Sequence, residues 1–388
     1  MKIRYMSKML HKILILSCST GEGHNSAAKA LKRVIENDGI QCDIYDALGL
    51  AGKRLSNKVS RIYEKSVRTS LFGSMYAIGE WYSAIRFRPL SPIYLFNKTY
   101  AKELYCLICD NRYDAVVCTH PFPAQSVSFI RKKHGLDLPT FFIATDYTCY
   151  PFMNETNIDG YMIAHPDLIE EYVRKGVPAD KIYPTGIPCS SDNAAGKMSQ
   201  MEARQEINEI YSWQSQSEEG KWFVIMGGSM GFGNMKELIG HLLNKCTSED
   251  RIICICGRNE ELEREICESV STSSIVKAIG YTDRVMLFMD AGDVLFTKPG
   301  GLTSTEALNR GIPLIHTTPI RGIEDKNADF FHERGMSYSS TDSQQQSEYA
   351  FRMCDDENYR KAMLQSQAEN RMESASVSIL KIIKQKTQ

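Results

Sequence analysis

Short, continuous apolar runs alternate with helical patterns along almost the whole chain, and this alternation limits the possible folds more than any other feature. The first half contains the runs KILILSCS, YDAVVCTH, PTFFIATD and DGYMIAHP, and the second half contains KWFVIMGG, RIICICG, IVKAIGY, GDVLFTKPGG and IPLIHTT. Apolar runs without polar alternation are typical of parallel strands that helices cover on both faces. The sequence therefore predicts an α/β fold.

A polar segment without any strand pattern, residues 190–220, separates the two series of runs. We therefore predict two Rossmann-like domains, residues 1–189 and 221–355, joined by this linker and followed by a helical tail, residues 356–388. Each domain opens with a strand that leads into a glycine-rich loop. Because open α/β sheets bind ligands at the carboxyl ends of their strands, we expect the two sheets to face each other across a cleft that contains both loops.

Composition excludes several classes of function. The net charge is −1, which favours neither nucleic acid nor membrane as a partner of the whole chain, and no apolar run approaches the ~20 residues of a membrane-spanning helix. The twelve cysteines are scattered, and several lie in apolar runs, as expected for buried, reduced thiols of the cytosol. Cys106 and Cys109 form a CxxC without a second pair, so we predict no metal site.

Residues 51–105 differ from the rest of the chain in charge. This segment has ten basic and three acidic side chains, interleaved with ten aromatic ones. Basic and aromatic side chains on helices suit the interface of an anionic membrane, where cations meet headgroups and rings enter the acyl boundary. The alternative is an ordinary helical insertion whose rings pack inward.

The first glycine loop, GEGHNSAA, contains a histidine. Gly21 and Gly23 allow a tight turn after the first strand, and the helix that begins near His24 or Asn25 offers free N–H groups. His24 is the loop's one side chain that titrates near neutral pH. It is either a general base or an imidazole that caps a helix end.

The second and third glycine loops point to phosphate binding. GGSMGFG, which includes Gly228 and Ser229, lacks the Lys-Ser/Thr of a P-loop, so ATP hydrolysis is not predicted. In the third loop, Gly300 and Gly301 precede a helix N-terminus that directs donors at an anion. There Glu306 either completes a capping box with Thr303 or binds both hydroxyls of a ribose. Because the chain has no Asp-x-Asp, a diphosphate would be held by amides and a helix N-terminus rather than by a divalent cation.

Several of these segments, in the same order, resemble the GT-B glycosyltransferases that make glycolipids. The resemblance is to monogalactosyldiacylglycerol synthases and processive diacylglycerol glucosyltransferases and, more distantly, to the peptidoglycan N-acetylglucosaminyltransferase. It extends over about residues 12–345, and its most specific parts are GYTDRVMLFMDAGDVLFTKPGGLTSTEALNRGIPLI and RGIEDKNADFFHERG, followed by GEGHNSAAKAL and TDYTCYPFMNETNIDGYMIAHPDL.

The resemblance implies roles for individual residues. His24 is the general base, and Gly23, His120 and Asp146 lie on the acceptor side. The donor side comprises the residues expected around the diphosphate, ribose, uracil and sugar, which are Gly228, Ser229, Arg258, Gly280, Tyr281, Gly300, Gly301, Thr303, Glu306, Glu324 and Asn327. Two departures from the family pattern are Glu22, where a glycine is frequent, and Ile323-Glu324, where relatives commonly have Gln-Glu or Gln-Gln. The second departure leaves the donor sugar open.

The resemblance implies an inverting transferase that moves a hexose from a UDP-sugar to a lipid hydroxyl, with diacylglycerol as the expected acceptor. No metal or other cofactor is expected. The enzyme would be cytoplasmic and peripheral at the inner face of the cell membrane, docked on anionic lipid through residues 51–105. Two alternatives remain: a UDP-sugar 2-epimerase of the same fold, and a non-catalytic protein that binds nucleotide sugars or membranes.

Overall fold

The computed structural model describes residues 10–18, 21–52, 61, 71–85, 89–192, 196–213, 220–228 and 234–387. Ser229 and residues 53–60, 62–70 and 86–88 of the 51–105 segment lie outside the described residues. The chain divides into two compact units, and the predicted α/β class is confirmed in both.

The N-terminal unit comprises Met1–Asp192, Arg321–Ile323 and Met372–Gln388. Its strands are β1 (Lys12–Ser17), β2 (Gln41–Asp46), β3 (Ala115–Cys118), β4 (Thr140–Ile143), β5 (Gly160–Ile163) and β6 (Ile182–Pro184). Its helices are α1 (Glu22–Asn37), α2 (Ala47–Leu50), α3 (Leu71–Ala84), α4 (Pro92–Asn97), α5 (Ala101–Asp110), α6 (Pro121–His134), α7 (Ile169–Arg174) and, from the end of the chain, the last helix (Ala375–Thr387).

The six strands of this unit are parallel in the order β2-β1-β3-β4-β5-β6. The order reverses between β1 and β3, so the loops that follow these two strands open at the switch point, where open α/β sheets bind ligands. Every residue of β3, β4 and β5 is buried. Ile379 and Ile383 of the last helix pack with Ile13 and Leu31, so the end of the chain covers this sheet.

The C-terminal unit comprises Asn193–Ile320 and Glu324–Arg371. Its strands are β7 (Trp222–Met226), β8 (Arg251–Ile255), β9 (Val276–Ile279), β10 (Val294–Thr297), β11 (Leu314–His316) and β12 (Tyr338–Ser339). Its helices are α8 (Gln200–Tyr211), α9 (Met235–Leu243), α10 (Glu260–Ser269), α11 (Val285–Ala291), α12 (Gly301–Arg310), α13 (Ile323–Glu333, whose first residue belongs to the other unit), α14 (Ser343–Asp355) and α15 (Glu357–Asn370); the last helix, Ala375–Thr387, is α16.

The second sheet is also parallel, in the order β12-β11-β10-β7-β8-β9. Its switch point lies between β7 and β10, which places the loop with Gly228 beside the loop with Gly300 and Gly301. The fold therefore brings the second and third glycine loops of the sequence to one edge of one sheet.

Candidate active site

His24 lies at the switch point of the N-terminal sheet. Helix α1 begins at Glu22, after the N-cap residue Gly21, so His24 is the third helical residue. Its Nδ1 lies 2.8 Å from the carbonyl oxygen of Thr119, just after β3. Because a carbonyl oxygen only accepts, Nδ1 carries a proton and donates, and the neutral ring has its lone pair on Nε2.

The surroundings of His24 keep its ring neutral. Burial lowers the pKa of His24 below its ordinary value, and this effect exceeds the opposing influence of the Asp146 charge and the Thr119 hydrogen bond. A neutral imidazole with an available lone pair at neutral pH can take a proton from a hydroxyl group.

The other residues predicted on the acceptor side surround the His24 ring. Gly23 precedes it in the first turn of α1. The ring of His120, the N-cap residue of α6, packs edge-on against it with centroids 4.6 Å apart. The backbone N–H of Phe122 donates to His120 Nδ1 (3.1 Å), and burial together with His24 holds the pKa of His120 well below its usual range. His120 is therefore a second neutral imidazole. Asp146, after β4, accepts a hydrogen bond from the Tyr150 hydroxyl (2.6 Å).

Helix α12 begins directly after the third glycine loop. Gly300 is its N-cap, and Gly301 is its first residue. Thr303 is therefore the third helical residue and not the N-cap, which excludes the capping-box alternative for Glu306. The first turn has no acidic residue, and its cap has no side chain, so its N–H groups suit an anion. Glu306 lies one turn further along α12 and is buried.

The structure brings to this loop a cation, Lys298, that lies outside the residues predicted from the sequence. Lys298 follows β10 and pairs with the carboxylate of Glu324. A Cβ built on Gly228 would lie 2.9 Å from Lys298 Cε, and one built on Gly300 would lie 3.5 Å from Lys298 Nζ. Lys298 thus lies among three of the predicted donor-side residues. Its position at the carboxyl end of a buried strand, directly before Pro-Gly-Gly, was the signal available in the sequence.

Glu324 and Asn327 hold the third glycine loop from α13. Glu324 accepts a hydrogen bond from the backbone N–H of Ile320 (2.8 Å) in addition to its pairing with Lys298. The side-chain amide of Asn327 is fully buried and donates to the Pro299 carbonyl oxygen (2.9 Å). These bonds fix the loop, and the predicted contacts of both residues with the donor sugar stay predictions.

A buried histidine at the end of β11, His316, stabilises the start of α12. His316 Nε2 lies 2.9 Å from Ser304 Oγ, and its Nδ1 lies 3.1 Å from Ser337 Oγ. Burial and the nearby His332 lower the pKa of His316 to about 3, so the ring is neutral over the physiological range. Ser304, in the first turn of α12, is thereby tied to the end of β11.

The residues predicted around the uracil base lie after β8 and β9. The Arg258 guanidinium stacks over the Tyr281 ring, 5.1 Å from its centroid, and Tyr281 is exposed. A Cβ on Gly280 would meet a Glu263 carboxylate oxygen at 2.8 Å, so glycine keeps this backbone close to α10. The described residues contain no group of three His, Cys, Asp or Glu side chains arranged to hold a metal ion.

Two family models match the chain, one in each unit. Residues 24–189 match the model described as monogalactosyldiacylglycerol (MGDG) synthase, and residues 208–370 match glycosyl transferases group 1. The chain is also 29% identical, over 381 residues, to a protein of Bacillus pumilus (strain SAFR-032) named processive diacylglycerol beta-glucosyltransferase, covering 96% of this chain and 94% of that one.

Solved structures share the fold at low sequence identity. MurG of Acinetobacter baumannii is 12% identical with a TM-score of 0.64, covering 97% of this chain and all of the other. A UDP-GlcNAc 2-epimerase of Neisseria meningitidis, bound to UDP-GlcNAc, is 14% identical with a TM-score of 0.60, covering 95% and 98%. At these identities, the likeness establishes the two-domain GT-B fold alone.

Proposed function

Because the chain belongs to the GT-B glycosyltransferases, with a monogalactosyldiacylglycerol synthase domain followed by a group 1 transferase domain, we propose that it moves a hexose from a UDP-sugar to the hydroxyl of diacylglycerol. The acceptor oxygen forms a bond to the anomeric carbon as the bond from that carbon to the UDP oxygen breaks. The displacement inverts the anomeric centre, and the product is a β-glycolipid.

The observation that carries this proposal is the orientation of His24. Its Nδ1 proton is committed to the Thr119 carbonyl, so Nε2 is the nitrogen that takes the acceptor's proton. The depressed pKa of His24 keeps this nitrogen unprotonated at neutral pH. A transferase whose acceptor is an unactivated hydroxyl needs such a base.

We propose that the UDP moiety binds at the switch point of the C-terminal sheet. The diphosphate lies beside Gly300 and accepts hydrogen bonds from the backbone N–H groups of Gly301 and Thr303, while the Lys298 ammonium offsets its charge as UDP leaves. The Glu306 carboxylate accepts hydrogen bonds from the ribose hydroxyls. Charge neutralisation by a lysine and a helix N-terminus would allow the reaction without a divalent cation.

Helix α3 supports docking on a membrane. Its exposed apolar side chains recur at spacings of three and four residues and continue past its end, forming what we call the α3 stripe: Leu71, Met75, Ile78, Trp81 and Ile85. Ile78 and Trp81 are 64% and 68% exposed. The side chains of Phe72, Tyr76 and Tyr82 are partly buried, so most of the aromatic side chains of α3 are turned away from the stripe.

Two bonds hold α3 on the N-terminal unit. Glu80 pairs with Lys175 (2.8 Å), and Ser83 Oγ accepts a hydrogen bond from the backbone N–H of Phe152 (3.0 Å). We propose that the stripe enters the acyl boundary of an anionic bilayer, at the inner face of the cell membrane, and that the basic residues of 51–105 meet the headgroups. No helix among the described residues is long and apolar enough to span a bilayer.

Vesicles with and without diacylglycerol test the reaction. With UDP-glucose, UDP-galactose and UDP-N-acetylglucosamine offered in turn, we expect UDP release from one donor only when diacylglycerol is present, together with a new glycolipid on thin-layer chromatography. Conversion of UDP-N-acetylglucosamine without any acceptor would instead indicate an epimerase. Binding of UDP without turnover of any donor would indicate a non-catalytic protein.

A further inference from the structure

A continuous chain of polar contacts connects His24 to Asp146 through two residues with no assigned role. His24 Nδ1 lies 2.9 Å from Thr145 Oγ1 as well as 2.8 Å from the Thr119 carbonyl. Thr145 Oγ1 lies 3.0 Å from the Tyr150 hydroxyl, which lies 2.6 Å from Asp146 Oδ2. Asp146 is thus three hydrogen bonds away from the imidazole.

The direction of each bond follows from the chemistry at the two ends. An ionised carboxylate only accepts, so the Tyr150 hydroxyl donates to Asp146. Burial and the Asp146 charge raise the pKa of Tyr150 well above its usual value, which keeps this hydroxyl protonated. The Tyr150 oxygen is then an acceptor for the Thr145 hydroxyl and for the Thr145 backbone N–H (3.2 Å). The Thr145 oxygen therefore presents a lone pair to the proton on His24 Nδ1.

The sheet fixes this arrangement. β3 and β4 are neighbours, so the residues that follow them, Thr119 and Thr145, meet at the same edge. Thr145 and Tyr150 are both almost fully buried, and the Tyr150 ring packs edge-on against Phe142 of β4, with centroids 5.9 Å apart. A buried hydrogen-bond chain whose members are all satisfied is rigid.

We propose that Thr145 and Tyr150 are positioning residues that connect the Asp146 carboxylate to His24, holding the ring proton on Nδ1 and stabilising the imidazolium that forms when Nε2 takes the acceptor's proton. This inference rests on the proposed role of His24 as the base. As the acceptor oxygen bonds to the anomeric carbon and UDP leaves, the proton of that hydroxyl moves to Nε2. The Nδ1 proton stays in place, and no covalent bond changes in Thr145, Tyr150 or Asp146.

The charges around the ring make Asp146 the group on which imidazolium formation depends. His120 faces His24 from the β3–α6 junction and is neutral, since its Nδ1 accepts from Phe122. Tyr150 and Asp146 belong to the loop after β4, which contacts the ring through Thr145, and Glu22 lies two residues before His24 on α1. Of these groups, Asp146 is the one whose charge raises the pKa of His24 against the effect of burial.

Tyr150→Phe tests the connection with the least change in packing, because it removes only the hydroxyl. Without that acceptor the Thr145 hydroxyl can turn and donate to His24 Nδ1, which favours the tautomer with its proton on Nε2. We expect nitrogen NMR of the labelled, full-length protein, with His24 assigned from a His24→Gln sample, to show a smaller population of the Nδ1–H tautomer, which the Thr119 carbonyl still favours. We also expect kcat to fall about tenfold while KM for the UDP-sugar stays within about twofold.

Four further variants keep the test independent of folding. Tyr161→Phe removes another buried tyrosine hydroxyl, one that bonds Thr156 instead, and should leave the tautomer and kcat unchanged. Thr145→Val should lower kcat as Tyr150→Phe does, and the double variant should be no worse than either single one, because the residues act as one chain. Thr145→Ser keeps the hydroxyl and should retain nearly the full rate.

Asp146→Asn supplies the pH readout. Removing the charge lowers the pKa of His24 further, so the acidic limb of kcat/KM should move to lower pH while the plateau falls. A wild-type tautomer in Tyr150→Phe, or an unmoved acidic limb in Asp146→Asn, would overturn the inference. The NMR measurement uses no substrate, so a wrong donor or acceptor in the proposed function leaves it intact.

Discussion

The two units place a glycine loop and a helix N-terminus at equivalent positions of their sheets, but the two helices begin with different charged groups. α1 has Glu22 as its first residue, so a carboxylate already occupies the positive end of the helix dipole. α12 has no acid in its first turn, and Lys298, paired with Glu324, lies beside its cap. The first helix start therefore suits a neutral base and an uncharged hydroxyl, whereas the second suits a diphosphate.

This difference gives a physical meaning to Glu22, which departs from the glycine frequent in the family. A carboxylate there disfavours phosphate at the first loop, which agrees with the proposed role of His24 as a base at that helix start. Under the proposed function, the same backbone motif would serve proton transfer in one unit and anion binding in the other. Substituting side chains at each site tests whether the two roles are independent.

The largest effect should come from His24→Ala. We expect kcat to fall about 10³-fold, since general bases contribute roughly 10²–10⁴ to rate. UDP affinity, measured by calorimetry, should stay unchanged, because UDP is proposed to bind in the other unit. His134→Ala, an exposed histidine at the end of α6, is the matched control and should retain full activity. Near-normal turnover of His24→Ala would remove it as the base.

The next effect should be on binding rather than on rate. Glu306→Gln keeps the size of a buried side chain but loses the charge and one acceptor oxygen. We expect the Kd for UDP to rise about tenfold to a hundredfold, with a smaller change in kcat. Glu333→Gln, at the exposed end of α13, controls for the loss of one negative charge. Unchanged calorimetric affinity for UDP would contradict the ribose role.

Loss of the α3 stripe should affect the lipid reaction and spare the donor site. For Ile78→Ala/Trp81→Ala we expect vesicle partition to fall at least about tenfold, since each large apolar side chain contributes roughly 1.5–3 kcal/mol when it leaves water. Met201→Ala/Ile210→Ala removes two comparably exposed apolar side chains from α8 and should partition normally. An equal loss in both double variants would show that the stripe has no special role. High salt should further weaken binding through the basic residues.

The sequence predicted the α/β class and the glycine loops because continuous apolar runs and Gly-Gly turns are local signals. Buried strands such as β7 and β10 can be recognised from their own apolar sequences, without knowing which strands lie beside them. The position of α16 was not accessible in this way, since an amphipathic pattern does not say which sheet the helix covers.

The site residues that could not be predicted from the sequence depend on the directions of their side chains in the folded protein. In the sequence, Lys298 is an ordinary lysine at the end of a strand. Only the folded structure shows that it lies against Gly228. Thr145 and Tyr150 are common residue types in an irregular loop, and only the pairing of β3 with β4 brings them to His24. The predicted domain boundaries and the individual site roles stay predictions.

The smallest effect should come from Gly228→Ala. Gly228 has φ +70°, and a Cβ there would crowd Lys298. Gly39, after α1, has φ +81° with no atom within 4 Å of an added Cβ, so Gly39→Ala carries similar backbone strain without crowding. Both variants should lose about 1 kcal/mol of unfolding free energy. Only Gly228→Ala should raise KM for the UDP-sugar, by roughly threefold to tenfold, because displacing Lys298 costs about 1 kcal/mol of binding. Equal KM values in the two variants would show that Lys298 does not contribute to diphosphate binding. The N-terminus of α12 would then be the remaining proposed ligand of the diphosphate.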